Sequence, residues 1–249
     1  MKIKNFFTEY EVKEISKVKA KEFIVKFHYT HTFPLSVLHF GAFKDDELIG
    51  VIVYGMSCTP KMAQSIVPYL GQSDYLELQR LFVKDCTESN FESWFIAQTV
   101  GWIKKNKPQI KLLVSFSDSN YGHVGTVYQA TNWLYVGNTK PASIWLNSNG
   151  IVVHSRTITK GKKDKSSLIK VGRPPKYRYV LFLTKGIDIY KNTIDNSIIR
   201  CEDLDYWVAK EKNDGIIYIE RINGNFKKYK TNFKKDLRYK ILEYPKKQY

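Results

Sequence analysis

The spacing of apolar and polar residues predicts alternating helices and strands over the first 185 residues. Apolar positions recur about every 3.6 residues over 11–27, which predicts a helix. Residues 37–44 and 47–55 flank Asp45-Asp46 and predict an antiparallel hairpin. Further strands are predicted at 75–83, 111–116, 134–137, 143–146 and 178–184, and further helices at 89–106 and 123–133. This order predicts an α/β (α+β) fold, a mixed central β-sheet with helices on both faces.

The predicted helix at 89–106 follows a capping signal. Ser89 stands at the cap position with Glu92 three residues later, the spacing of a capping box. The order of strand, capped helix and strand resembles the acyltransferase fold of the GNAT type, in which free amides at this helix N-terminus hold a pyrophosphate. The resemblance implies that Ser89, Asn90 and Phe91 bind an acyl-CoA-like donor. The preceding segment, KDCTESN, has no glycine and departs from the glycine-rich loop of that fold.

Residues 112–137 carry the most concentrated candidate chemistry in the chain. A short apolar run leads directly into Ser115, Ser117 and Asp118, and two glycines then flank His123. Ligands commonly bind at the carboxyl end of a buried strand, where a polar turn leads into a helix. The pattern therefore predicts a binding or catalytic site. A solvated turn between a strand and a helix is the alternative interpretation.

The charge of the chain favours a polyanionic partner. Its 249 residues contain 40 Lys and Arg against 24 Asp and Glu, which gives a net charge of +16. Hydrophobic residues make up 43%, so a core is available. A positive field of this size attracts nucleic acid. The alternative is that lysines keep the protein soluble while the many Tyr and Phe fill the core.

Two basic stretches extend this interpretation. Residues 156–178 hold nine Lys and Arg against one acid, and their glycines and prolines predict a loop. Residues 186–249 are predicted to form a basic C-terminal extension beside a catalytic domain of residues 1–185. Within the extension, turn signals around IIYIERI predict a hairpin, and lysines then interleave with aromatics, which predicts phosphate contacts. The nucleic-acid-binding candidates in these stretches are Lys162, Lys163, Arg173, Lys227, Lys228, Lys234 and Lys235.

The cysteines and the apolar runs indicate the compartment. Cys58, Cys86 and Cys201 are widely separated, which argues against a disulfide framework or a zinc ribbon and fits a reducing cytosol. The longest apolar runs fall short of the roughly 18 residues that span a bilayer. We therefore expect a soluble cytoplasmic protein with no membrane partner, and the sequence indicates no obligate protein partner.

Several segments resemble the Mom DNA-modification proteins of bacteriophages. They are His28-Tyr29, the hairpin 37–55, ELQRLFVKD at 77–85, SFSD…GHVGTVYQATNWLYVG at 115–137 and KYRYVLFL at 176–183. The resemblance covers roughly residues 10–185. It implies a GNAT-like fold, double-stranded DNA as substrate in the host cytoplasm, and transfer of a carbamoylmethyl-type group to adenine N6, which blocks restriction enzymes. It also implies a bound iron, with His28, Tyr29 and Asp118 as candidate ligands.

The residue types in these segments suit such a reaction. Adenine's exocyclic amine is a poor nucleophile because its lone pair is delocalised, so a catalyst must orient it, remove a proton and polarise the donor. Asp118 can accept that proton, with an Asx turn or a helix cap as its alternative role. His28 and Tyr29 can transfer protons, although a histidine at a helix end often only caps the helix. Ser115 and Ser117 can position the donor.

The segment after the turn offers aromatic and amide side chains. Tyr128 is a candidate catalytic residue and, with Trp133, can stack an extruded base, with core packing as the alternative. Asn132 can pair with a base edge or merely end the helix. Tyr54 ends a hairpin strand and can face the same cleft.

Two further classes of function remain open from the sequence. The first is a GNAT-type N-acetyltransferase acting on protein or small amines, which the missing glycine loop and the high positive charge disfavour. The second is a non-catalytic DNA-binding protein that keeps the fold as a scaffold.

Overall fold

A computed structural model describes most of the chain. The described residues are 7–57, 59, 61–118, 123–139, 142–147, 152–153, 158, 165–173, 175–187, 206–212, 215–222 and 225–231. Four predicted nucleic-acid contacts, Lys162, Lys163, Lys234 and Lys235, lie outside them.

The helices and strands follow the predicted order in most of the first 185 residues. The strands there are β1 (Tyr10–Glu14), β2 (Leu38–Lys44), β3 (Glu47–Gly55), β4 (Tyr75–Val83), β5 (Leu112–Asp118), β6 (Leu134–Asn138), β7 (Ala142–Leu146), β8 (Val152–Val153), β9 (Ile169–Arg173) and β10 (Lys176–Phe182). The α-helices are α1 (Lys17–Phe27), α2 (Phe91–Asn106) and α3 (Thr126–Ala130). Three further strands are β11 (Tyr206–Lys212), β12 (Gly215–Ile222) and β13 (Asn225–Thr231).

Within the described residues the strands form one large sheet and two small ones. The large sheet has seven strands in the order β1-β2-β3-β4-β5-β10-β6. Its first four strands pair antiparallel, and β4 pairs parallel to β5. The small sheets have the orders β8-β7-β9 and β11-β12-β13. The mixed sheet that the sequence predicts is therefore confirmed.

Contacts divide the chain into two compact units. The first comprises residues 1–116, 126–136 and 178–197. The second comprises 117–125, 137–177 and 198–249. The boundary that the sequence predicts between residues 185 and 186 stays a prediction.

Helices α1 and α2 cover opposite faces of the large sheet. Ile24 of α1 is fully buried in a cluster with Val53 of β3. The next residue on that strand, Tyr54, bonds through its hydroxyl to Thr99 of α2 at 2.7 Å. Successive side chains of a strand point to opposite faces. The two helices therefore enclose the sheet from both sides, as predicted.

A β-bulge interrupts β4 at Gln79. Val53 of β3 pairs with Arg80, and the next residue of β3, Tyr54, pairs with Leu78. Gln79, which lies between Leu78 and Arg80 on β4, therefore has no partner on β3. A bulge bends a strand and re-aims its side chains, and bulges are common beside active sites. The bulge therefore marks a place where β4 changes direction inside the sheet.

The predicted start of the first helix is wrong. Tyr10–Glu14 form the edge strand β1, and α1 begins only after Ser16, whose side chain accepts a hydrogen bond from the Lys19 amide at 3.2 Å. Strand β1 pairs along its whole length with β2. These bonds reach residues about thirty positions away, and a helical period read locally does not reveal them.

The prediction of Ser89 as a helix cap is also wrong. The cap residue is Asn90, whose backbone lies in the left-handed region at φ 69° and whose side chain makes no capping hydrogen bond. The third predicted helix is shorter than expected, because only Thr126–Ala130 are helical.

Residues 156–178 are not simply the predicted loop. Ile169–Arg173 form β9, paired with β7, and β10 begins at Lys176. Arg173 is paired through its backbone with Ala142. Arg173, a predicted nucleic-acid contact of this loop, therefore lies in a strand of a sheet.

The predicted hairpin in the extension is one half of a meander. Strand β12 pairs antiparallel with β11 on one side and with β13 on the other. Lys227 and Lys228 lie on β13, opposite Glu220 and Ile219 of β12.

Two glycines of the first unit give a matched stability prediction. A methyl group on Gly55 would lie 2.5 Å from the carbonyl oxygen of Leu35 and closer still to Gln79 Oε1. We expect Gly55→Ala to lower the free energy of unfolding by about 1–3 kcal/mol, because a backbone atom must move. A methyl group on Gly101, inside α2, meets nothing within 4 Å. Gly101→Ala should therefore stabilise by about 0.5–1 kcal/mol. Urea unfolding of both variants checks the pair, and a Gly55→Ala protein as stable as wild type would contradict it.

Candidate active site

The candidate site in the first unit lies where β4 and β5 separate. Their parallel pairing begins at Tyr75 with Leu112 and ends at Leu78 with Ser115. Beyond that pair β4 continues to Val83. The bulge at Gln79 follows the last paired position directly, so the change of strand direction and the end of the pairing coincide. Separating parallel strands open a space at their carboxyl ends, which is where α/β proteins bind ligands.

Ser115 and Tyr128 meet at this point. Ser115 is fully buried, and its hydroxyl oxygen lies 2.9 Å from the Leu78 carbonyl oxygen and 2.8 Å from the Tyr128 hydroxyl. Burial raises the pKa of Tyr128, and the hydrogen bond with Ser115 only partly offsets this effect. The phenol therefore stays protonated at neutral pH, so it can donate a proton or a hydrogen bond but does not act as a base.

Other buried phenols surround this pair. The Tyr128 ring lies 5.4 Å from the ring of Tyr179 and 5.3 Å from that of Trp133. Tyr179 accepts a hydrogen bond from Gln129 at 2.9 Å, and burial raises its pKa to about 12. Trp133 is only 3% exposed, so it is packed as a core aromatic. Burial likewise raises the pKa of Tyr54, which is bonded to Thr99 and is fully enclosed.

Asp118 lies in the second unit and is paired with a lysine. Its carboxylate Oδ2 lies 2.6 Å from Lys176 Nζ, and the Asp118 side chain is only 10% exposed. Lys176 is also held by its backbone, since its amide donates to Thr139 Oγ1 and its carbonyl accepts from the Thr139 amide, both at 2.9 Å. The Asp118 carbonyl accepts from the amide of His123 at 3.3 Å. The carboxylate is therefore oriented and has a cation beside it.

Strand geometry bears on the predicted serine and aspartate cluster. Ser115 and Asp118 share β5 but are three positions apart. Side chains an odd number of positions apart on a strand point to opposite faces. Ser117, two positions from Ser115, is buried and shares its face. The sequence analysis placed these three residues in one candidate site, because their positions in the sequence alone do not show which face of the strand each side chain occupies.

His28 and Tyr29 follow α1 directly. The amide of His28 closes the helix by donating to the Ile24 carbonyl at 3.0 Å. Its ring is buried, and its Nδ1 lies 2.9 Å from Thr30 Oγ1 and accepts from the Thr30 amide at 3.1 Å. The ring of Tyr29 stacks on it at 4.2 Å and is 39% exposed. The histidine is thus a capping residue with an ordered ring.

The donor set for iron does not fit the described residues. Among them, no group of three or more His, Cys, Asp or Glu side chains comes together as a metal site requires. Nδ1 of His28 already accepts a hydrogen bond, and Asp118 is paired with Lys176. The prediction of iron is therefore not supported.

The N-terminus of α2 offers less than the predicted donor site. Phe91 is fully buried, packed against Tyr10 and Trp94, and its amide donates to the Glu88 carbonyl at 3.2 Å. That amide is therefore not free for a phosphate. Asn90 accepts through its carbonyl from the Trp94 amide and from the Ser93 hydroxyl.

Asn132 is also explained by local structure. It follows α3 with φ 61°, a left-handed conformation that asparagine tolerates, and its amide donates to the Gln129 carbonyl at 3.1 Å. Its predicted pairing with a base edge stays a prediction.

Three residues beside these positions were missed by the sequence analysis. Gln79 is the bulged residue, and its Oε1 is a buried oxygen without a hydrogen-bond partner in the described part of the chain. Arg80 donates to the Thr32 carbonyl and hydroxyl. Lys176 pairs with Asp118. Only Lys176 had a sequence signal, as one lysine in a basic stretch, and nothing local singled it out.

A model of the Mom protein family matches residues 9–197. The chain is also similar to "Methylcarbamoylase mom" of Escherichia phage Mu, with 28% identity over 190 residues, which cover 71% of this chain and 77% of that protein. The matched family and this relative support a transferase. The chain belongs to the Mom protein family, which confirms the resemblance seen in its motifs.

Solved structures similar to the chain include acetyltransferases. One is a probable acetyltransferase from Staphylococcus epidermidis, with 14% identity, a TM-score of 0.43, and coverage of 70% of this chain and 99% of that one. Another is a GNAT family acetyltransferase from Elizabethkingia anophelis with acetyl-CoA bound, with 12% identity, a TM-score of 0.40 and the same coverage.

In the part of the chain that the structure describes, no helix combines the length and the apolar character that a bilayer crossing needs.

Proposed function

We propose that this protein modifies adenine in double-stranded DNA, transferring a small carbamoylmethyl or acyl-like group to the N6 amine and so protecting the DNA from restriction endonucleases. The observation that carries the proposal is the buried Ser115–Tyr128 pair at the last paired position of β4 and β5, in a chain of the Mom family. The net charge of +16 supports a polyanionic substrate.

The Ser115–Tyr128 pair suits the departing group of the donor. In the transfer, a bond forms between N6 and the transferred group, and the donor's leaving group departs with a pair of electrons. A protonated phenol can give its proton to that leaving group as the bond breaks. Ser115 fixes the phenol's orientation, since its own hydroxyl is held by the Leu78 carbonyl.

Asp118 is proposed as a proton acceptor within the second unit, separately from the Ser115–Tyr128 pair of the first unit. Its carboxylate is oriented by Lys176, whose Nζ lies 2.6 Å from Oδ2. His28 and Tyr29 are proposed to act at the acceptor side, with the ring stack holding the exposed phenol in place. Ser117 remains a candidate for positioning the donor.

The donor is proposed to be acyl-CoA-like. The remaining amides at the start of α2, those of Glu92 and Ser93, are the groups that can receive its phosphates, because helix N-termini attract anions. Ser89 and Asn90 lie beside them. Phe91 would act only by packing this turn, since its side chain is core and its amide is bonded.

Contacts with the DNA backbone are proposed for the basic residues outside the site. Lys227 and Lys228 share strand β13 of the extension. Together with Lys162, Lys163, Arg173, Lys234 and Lys235 they add charge that neutralises phosphate and makes binding salt-dependent. Asn132 is proposed as a contact to a base edge.

A GNAT-type N-acetyltransferase acting on protein or small amines is the second candidate. The Ser115–Tyr128 pair would suit that reaction equally, because the leaving group needs the same proton. The absence of a glycine in the segment before α2 and the high positive charge favour DNA. A non-catalytic DNA-binding protein would not need a buried phenol and serine held together where two strands separate.

Expression in bacteria tests the function directly. We expect plasmid DNA from cells that make this protein to yield a modified deoxyadenosine on mass spectrometry of its nucleosides, and to resist several restriction enzymes. A Tyr128→Phe protein expressed at the same level is the control. Unmodified nucleosides from cells with abundant folded protein, with acetylated proteins or amines instead, would favour the second candidate.

A further inference from the structure

Three apolar side chains stand exposed at one end of the β2–β3 hairpin. Leu35 is 75% exposed, Val37 is 56% exposed and Met56 is 39% exposed. The backbone segments that carry them lie side by side, because the Val37 amide donates to the Tyr54 carbonyl at 2.9 Å and the Leu35 carbonyl approaches Gly55, the residue before Met56. We call these three residues the apolar tip. Contiguous exposed apolar groups commonly mark interaction sites.

The backbone that carries the apolar tip is braced from several sides. Ser36, between Leu35 and Val37, is buried, and its hydroxyl lies 2.8 Å from Nε2 of the buried His39. Its two neighbours, Leu35 and Val37, are exposed. Gln79 donates to the Met56 carbonyl at 3.2 Å. The tip is therefore a preformed projection, which lowers the entropy cost of inserting it into a partner.

The charge around the apolar tip fits a polyanion. Residues 15–37, which lead to the tip, contain four lysines and a single acid, Glu22. Arg80 reaches the same loop by donating to Thr32. The acidic turn Asp45-Asp46 lies at the other end of the hairpin, about 25 Å away along nine-residue β3. A phosphate on the side of the tip that α1 and Arg80 occupy would therefore meet cations.

We propose that Leu35, Val37 and Met56 form a wedge that enters the base stack of duplex DNA and helps the target adenine to leave it. This rests on the proposed function. An enzyme that acts on adenine N6 in a duplex must take the base out of the stack, and leucine, methionine and similar side chains fill the gap between base steps in proteins that deform DNA. The loop that carries the wedge begins with His28 and Tyr29, the candidates for the acceptor side.

The test uses the full-length protein and a duplex oligonucleotide with 2-aminopurine in place of one adenine, whose fluorescence rises when the base unstacks. We expect wild type to raise the fluorescence, and Leu35→Ser with Val37→Ser to reduce the rise about tenfold. Leu35→Phe keeps an apolar side chain at the tip and should retain the wild-type fluorescence rise. Val18→Ser is the matched control, since Val18 is 66% exposed on the first turn of α1.

The outcomes separate the wedge from the proposed function. Wild type that modifies plasmid adenine but leaves 2-aminopurine stacked overturns the wedge alone. The wedge is also overturned if the serine variant keeps the full fluorescence rise, or if Val18→Ser reduces the rise as much as the serine variant does. A serine variant that keeps the rise but no longer self-associates or binds a protein would assign the tip to a protein contact instead. Plasmid DNA without modified adenine overturns the proposed function, whatever the fluorescence shows. Equal melting temperatures exclude unfolding as the cause.

Discussion

Tyr128→Phe should reduce the yield of modified deoxyadenosine by about a hundredfold or more, while the protein stays folded. The substitution removes one oxygen from a ring that remains packed against Trp133 and Tyr179. It also removes the buried proton that the leaving group is proposed to receive, and positioned acids of this kind contribute about 10²–10⁴-fold. Mass spectrometry of plasmid nucleosides measures the loss.

Tyr179→Phe is the matched control for that experiment. Tyr179 is also a fully buried phenol with a raised pKa, and it bonds to Gln129 as Tyr128 bonds to Ser115. We expect Tyr179→Phe to lose about as much stability as Tyr128→Phe, since each loses a buried hydrogen bond that typically contributes about 1 kcal/mol to folding. Tyr179→Phe should nevertheless keep at least about half of the activity, because its hydrogen bond contributes nothing to the reaction. Equal losses in both variants would assign Tyr128 a packing role only.

Asp118→Asn should reduce modification about a hundredfold, and adding Lys176→Met should not restore it. The asparagine keeps the shape of the side chain but cannot accept a proton as a carboxylate does. Lys176→Met alone should reduce activity about tenfold, because it leaves the mostly buried carboxylate without its cation. The double variant removes both charges. Nucleoside yields from the four proteins complete a double-mutant cycle.

The cycle distinguishes catalysis from structure. If the ion pair only held the second unit together, the double variant would regain activity, because removing both charges of a buried pair is often tolerated where removing one is not. Asp74→Asn is the control, since Asp74 forms another Asp–Lys pair, with Lys111 at 3.8 Å. That variant should modify DNA at the wild-type level.

Local pattern predicted the strands that are short runs rich in large apolar residues. Strands β3 and β4 occupy the predicted positions, 47–55 and 75–83, because such runs are typical of strands that are buried in a sheet. Strand β1 was missed, since a five-residue edge strand is defined by its bonds to β2 rather than by its own spacing. The cap of α2 was misplaced by one residue because Asn90 adopts a left-handed conformation that composition does not reveal.

By itself, the sequence determined the family of this protein, its mixed sheet with helices on both faces, and the segment that carries Ser115, Tyr128 and Asp118. The tertiary structure decided which of these groups meet. Ser115 bonds to Tyr128 thirteen positions away, and Asp118 pairs with Lys176 much farther along the chain. Spacing along a chain fixes which face of an element a residue occupies, but the pairing and bulging of distant strands decide what that face meets.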